Sequence, residues 1–431
     1  MIEDRVVRNI NGKWYKSVSN MLYTLLVLCI CFEEIFVKML FGLTSIKYVI
    51  SLMIILLIMS CVKTKARIKI PNSIKLFYGL LIIAFFFSLP DFIELGWGGF
   101  LLWKQYVWLP VFIFVFSNTN KLTTFRAHHV VSLFVRLMIL YCILNSLLYF
   151  IDLPIWKDYH VYMGRITVGY PTVDVVVITF ALLIVLFHPE THLKYMEKAL
   201  YATIFIISIL SQASGTGIFL LAMCLVVDGF YLLQTKRIRN TSLVFAFGII
   251  SLFAVNILSF MKSSHIDLYD KIMLQIENRV YVMMGKGNQA EMDVNTMDIR
   301  EIEFQRAEKH HGTLNSFIFG NGFGKTTGRV NEVTNNIFLL EDQYHMIRFT
   351  MGWLGVTLFY FIVLSIFYHI FFSKIEISYK YLYCSSILSL IASTFTAFSL
   401  GTVGICGSLA IILSDSSHFY KQSKKIKCFT R

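Results

Sequence analysis

Apolar runs of membrane-spanning length, separated by short polar or basic stretches, recur along almost the whole chain. A helix rises 1.5 Å per residue, so about 20 apolar residues cross a hydrocarbon core of about 30 Å. Hydrocarbon offers the backbone no partner, so each run must satisfy its own donors and acceptors and should be an α-helix. The pattern predicts twelve spans, at 17–36, 43–62, 74–93, 99–117, 130–151, 171–189, 199–212, 216–233, 242–260, 345–372, 380–398 and 401–419. The stretch 199–233 is too long for one crossing. Its middle, Ser211-Gln212-Ala213-Ser214-Gly215-Thr216-Gly217, is polar and turn-prone, and basic residues flank both ends. Two short spans turning at 211–217 accommodate all of this, and both termini then face the cytoplasm. The organisation expected is nine spans in 1–260, a large outward loop at 261–344, and three spans with a basic tail in 345–431.

Composition agrees with this reading: 56% of the 431 residues are hydrophobic and 15% charged, against about a quarter charged in soluble domains. The net charge of +13 could suggest nucleic acid, but its distribution argues otherwise. Lys and Arg cluster between spans, as at Lys63, Lys65, Arg67 and Lys69, and at Lys236, Arg237 and Arg239. That is the positive-inside pattern. The loop 261–344 runs the other way, with nine Lys/Arg against twelve Asp/Glu. No nucleic-acid partner is expected. The first 20 residues are polar and basic, and the first apolar run leads into further spans, so no cleavable signal peptide is expected. The eight cysteines lie in or beside spans, none in the loop, and form no CxxC pattern.

Candidate chemistry gathers where the loop meets the tenth span. Glu341, His345, Arg348 and Gly352 are spaced four, three and four, which on a helix puts a carboxylate, an imidazole, a guanidinium and a bare backbone patch on one face. Such a face suits a site that takes a proton from a hydroxyl and holds an anionic leaving group. Spacing alone favours a different reading, an interfacial helix end with snorkelling charges and Gly352 and Gly355 packed on a neighbour. Arg165 lies in the outward loop 152–170, and Arg306 lies fourteen residues before Gly320. Either could clamp a phosphate, and singly each also fits a surface arginine. Gly320-x-Gly-x-Gly lacks the flanking strand and helix of a dinucleotide site and reads as a tight turn folding the loop back onto the spans. Asp174, Asp228, Asp415 and Arg136 lie in or near spans without the repeat symmetry of transporters. The adjacent pairs His128-His129 and His310-His311 do not have metal-ligand spacing on a helix, and no metal site is read.

Four segments, in order, resemble the O-antigen polymerase and ligase superfamily of bacterial membrane glycosyltransferases. They are RITVGYPTVDVVV (165–177), LSQASGTGIFLL (210–221), FQRAEKHHGTLNSFIFGNGFG (304–324) and EDQYHMIRFTMGWLG (341–355). The resemblance implies an all-α polytopic protein of the bacterial inner membrane with a GT-C-like architecture and its site facing the periplasm. It implies a metal-independent, inverting transfer on undecaprenyl-pyrophosphate-linked oligosaccharide, without cofactor or nucleotide sugar. The polymerase moves a growing chain from its lipid carrier to a hydroxyl of the next lipid-linked repeat unit. Glu341 or His345 would take the hydroxyl proton. Arg165, Arg306 and Arg348 would hold the departing pyrophosphate. Membrane lipid, a chain-length regulator protein and a flippase are the partners implied. With these matches the balance at 341–348 shifts towards a catalytic role.

Two departures matter. The family often has an arginine in the outward serine turn, where this chain has Gly215. The ligase branch carries a His-Asn pair near the end of its loop. Here the loop ends in Glu341-Asp342 with His345 beyond, which favours the polymerase branch. The rival functions are the ligase itself and a lipid-linked oligosaccharide flippase, which predicts two related halves that are absent here.

Overall fold

The computed structural model describes residues 2–36, 42–63, 72–95, 106–150, 171–189, 193–212, 215–235, 304–305, 308, 314–323, 342–373, 375–395 and 402–414. Among the described residues every regular element is helical. In chain order these are α1 (Ile2–Cys31), α2 (Glu33–Phe36), α3 (Gly42–Lys63), α4 (Asn72–Leu95), α5 (Trp108–Ser117), α6 (Thr119–Leu122) and α7 (Ala127–Phe150). There follow α8 (Pro171–Phe187), α9 (Tyr195–Ser211), α10 (Gly215–Thr235), α11 (Leu314–Phe319), α12 (Gln343–Phe371), α13 (Ile377–Thr394) and α14 (Val403–Ser414). The stretches His128–Leu147 and Gln343–Phe371 are long and apolar enough to cross a membrane by length and composition. The architecture is consistent with a helical membrane protein. The run expected at 242–260 and nearly all of 261–341 lie outside the described residues.

The described helices expose long apolar stripes as well as burying an apolar core. On α3, Tyr48, Leu52, Ile55 and Met59 form an exposed stripe at helical spacing, and Phe361, Leu364, Tyr368 and Phe371 do the same on α12. Inside, α13 buries Ser385, Ser386, Ser389 and Ser393. Water would penalise such apolar stripes, whereas hydrocarbon does not, and small polar residues let helices approach closely. Helix α8, apolar on all sides and buried from Val175 to Val185, is the centre of the bundle. Around it pack α7, α9, α10, α13 and α14.

Helix ends meet in two groups. The start of α12 meets the segment before α5, where Gln343 Nε2 donates to the Tyr106 hydroxyl at 2.8 Å. It also meets the end of α13, where the Tyr344 and Phe395 rings lie 5.3 Å apart. The other ends of these helices have different partners. Thr124, beyond α6, exchanges hydrogen bonds with Asn20 at 2.8 and 3.0 Å, and Ser378 pairs with Tyr231 at 3.0 Å.

The described helices depart from the expected spans in α1, in α5, which begins at Trp108 after a turn at 106–107, and within α12. Helix α1 begins at Ile2, fifteen residues before the apolar run at 17–36, because a polar segment can continue a helix already nucleated by that run. It breaks near Phe32. The short α2 then turns Glu33 inward, where its Oε2 accepts from the Gly404 N–H at 2.8 Å. Glu33 is therefore buried at the first residues of α14, and the unsatisfied N–H groups of a helix start explain why a carboxylate is tolerated there.

Candidate active site

The site is built on the first two turns of α12. Asp342 sits at the N-cap with extended backbone, and its Oδ1 accepts from the His345 N–H at 2.8 Å, satisfying one of the helix's orphan donors. The other oxygen, Oδ2, lies 2.8 Å from His345 Nδ1. One fully buried carboxylate thus holds both the backbone and the ring of one histidine. Two aromatic neighbours flank the imidazole: Phe304, with ring centroids 5.2 Å apart, and Tyr344, edge-on at 5.0 Å.

Arg348 follows one turn later. Its guanidinium carbon lies 4.2 Å from the Phe304 ring centroid and 5.0 Å from that of Trp353. A guanidinium this close to ring faces is held by cation–π attraction, and its planar fork of donors is suited to two-pronged contacts to phosphate. Phe304 is buried and touches both His345 and Arg348, so one ring from the 304–324 segment spaces an imidazole and a guanidinium on a common helix face.

Below them α12 is broken. Gly352 has φ 64° and ψ −167°, outside any helical conformation. A break of this kind strips nearby carbonyls of their partners four residues on, which is costly in a dry interior. The turn after α11 replaces those partners. Asn321 N donates to Phe349 O at 2.7 Å and Gly322 N to Thr350 O at 3.1 Å, while Phe323 N donates to Ser88 Oγ of α4 at 2.7 Å. Gly320 and Gly322 both have positive φ, at 83° and 76°. A Cβ on Gly320 would overlap the Thr350 carbonyl, and one on Gly352 would overlap the Ile318 carbonyl. The glycines thus serve backbone-to-backbone docking of this turn onto α12.

Of the five residues singled out in the sequence, His345 and Arg348 are brought together on α12, while Glu341, Arg165 and Arg306 lie outside the described residues. Asp342 and Phe304 were missed. The signal for Asp342 was its type: Asp is a favoured N-cap, and a residue three positions on faces it. Phe304 stood in the sequence only as the first residue of the 304–324 segment, with no role of its own. Elsewhere, the buried Glu33 and Asp174 line a small cavity with Tyr141 and Gly404, Asp228 is buried on α10, and Arg136 is exposed on α7. Among the described residues, no three His, Cys, Asp or Glu side chains gather as a metal site would.

Compared with known proteins, the chain matches no family model and no curated protein.

Proposed function

We propose that this protein polymerises undecaprenyl-pyrophosphate-linked oligosaccharide repeat units at the periplasmic face of the bacterial inner membrane. His345 takes the proton of the acceptor hydroxyl, with Glu341 as the other candidate base. Arg348, with Arg165 and Arg306, holds the departing pyrophosphate. The observation that carries the reading is the Phe304 contact: Phe304 opens the segment containing Arg306, and its ring packs on both His345 and Arg348. Residues of two of the segments that resemble the polymerase family are therefore in contact.

The grouping of helix ends also supports the reading. The alternating topology puts Asn20 with Thr124 and Tyr231 with Ser378 on the cytoplasmic side, and each pair is in contact. It puts Tyr106, Gln343, Ser88 and Phe323 on the outer side, and these too meet. A pyrophosphate departing at a half-dry surface needs fixed cations in the right place, and an arginine packed on aromatic rings supplies one.

The test is the surface glycan of a strain from which the gene has been deleted. The polymerase reading expects single repeat units attached to the surface lipid, restored to long chains by the wild-type copy. Absence of any attached unit would point to a ligase, and loss of export of the units to a flippase. Either result would remove the proposal.

A further inference from the structure

We infer that Asp342 is a positioning residue that fixes the tautomer of His345, so that the basic lone pair lies on Nε2. The inference rests on the proposed role of His345 as the base. An ionised carboxylate only accepts hydrogen bonds, so the 2.8 Å contact between Asp342 Oδ2 and His345 Nδ1 places the ring hydrogen on Nδ1. The same carboxylate accepts the His345 backbone N–H through Oδ1, also at 2.8 Å. Asp342 is entirely buried and Phe304 and Tyr344 flank the ring, so orientation and tautomer are set together.

In the reaction, Nε2 takes the acceptor hydroxyl proton as that oxygen forms its bond to the anomeric carbon. The bond from the anomeric carbon to the pyrophosphate oxygen breaks, and its electron pair leaves on the pyrophosphate. The imidazolium lies against the Asp342 carboxylate until its proton passes to water. No oxidant, metal or further reactant enters.

Asp342→Asn isolates this role. Asn caps helices about as well as Asp, so α12 still starts correctly. With the amide oxygen retained on the backbone N–H, the amide nitrogen faces Nδ1 and donates to it. The ring hydrogen must then move to Nε2, which removes the base. The measurement is the ¹⁵N spectrum of histidine-labelled full-length protein in lipid nanodiscs, with His345→Gln identifying the signal among eleven histidines. The wild type should show the Nδ1–H form and Asp342→Asn the Nε2–H form. In cells carrying Asp342→Asn as the only copy, glycan elongation should fall about a hundredfold or more, the scale of a lost general base. An Nε2–H signal in the wild type, or no change in Asp342→Asn, overturns the inference whatever the glycan shows. The expected tautomers together with full elongation by His345→Gln would instead remove His345 as the base, and the catalytic part of the inference with it.

Discussion

Arg348 lies against two aromatic rings, and this decides which substitutions it tolerates. Lysine keeps the charge but has neither the flat surface that meets Phe304 and Trp353 nor the forked donors. Arg348→Lys should therefore fail nearly as badly as Arg348→Ala. Both should lose about tenfold or more of elongation, the scale of a charged hydrogen bond, read as shortened surface glycan at normal protein level. Retention of long chains by Arg348→Lys would reduce the residue to a diffuse charge. The spacing of His345 and Arg348 made their shared face legible in the sequence. The role of Asp342 was not, because of two adjacent carboxylates only Glu341 falls on the face of His345 and Arg348 by spacing, and the cap is known only once the helix start is. The helix begins at Gln343, so the cap, and with it the carboxylate on His345, is Asp342.

At the scale of elements, the paired helices α9 and α10 were legible because a polar, glycine-containing stretch interrupts an apolar run too long for one crossing. The break in α12 was not. Met351-Gly352-Trp353 lies in an apolar run that reads as uninterrupted helix, and only the docked turn shows why it opens. Gly352→Ala and Gly320→Ala each force a side chain into positive φ and onto a neighbouring carbonyl. Each should cost at least about 1–3 kcal/mol and lower the thermal transition of the detergent-purified protein. Ser88→Ala removes one acceptor, for the Phe323 N–H, and should cost about 1–3 kcal/mol through the buried donor it strands. Unchanged transitions in all three would mean that the turn does not hold α12 open. The burial of Glu33 also escaped the sequence, since a carboxylate near the end of an apolar run reads equally as an exit from the membrane.

At the scale of the whole molecule, the exposed apolar stripes of the described helices are consistent with hydrocarbon surroundings, and the contacts between helix ends set which ends lie together. Charge distribution in the sequence had suggested the same alternation, because Lys and Arg clusters mark every second connection. Cysteines placed at Gly215 and Ala290 should react with a membrane-impermeant maleimide in intact cells; protection of both would reverse the sidedness. The most direct measurement of the account is elongation by the purified full-length protein in vesicles, supplied with the lipid-linked repeat unit extracted from the deletion strain. The account predicts products of two and more units with release of undecaprenyl pyrophosphate, and none with His345→Ala or Arg348→Ala. Vesicles that hold correctly folded wild-type protein but form no chain, or variants that elongate like the wild type, would contradict it.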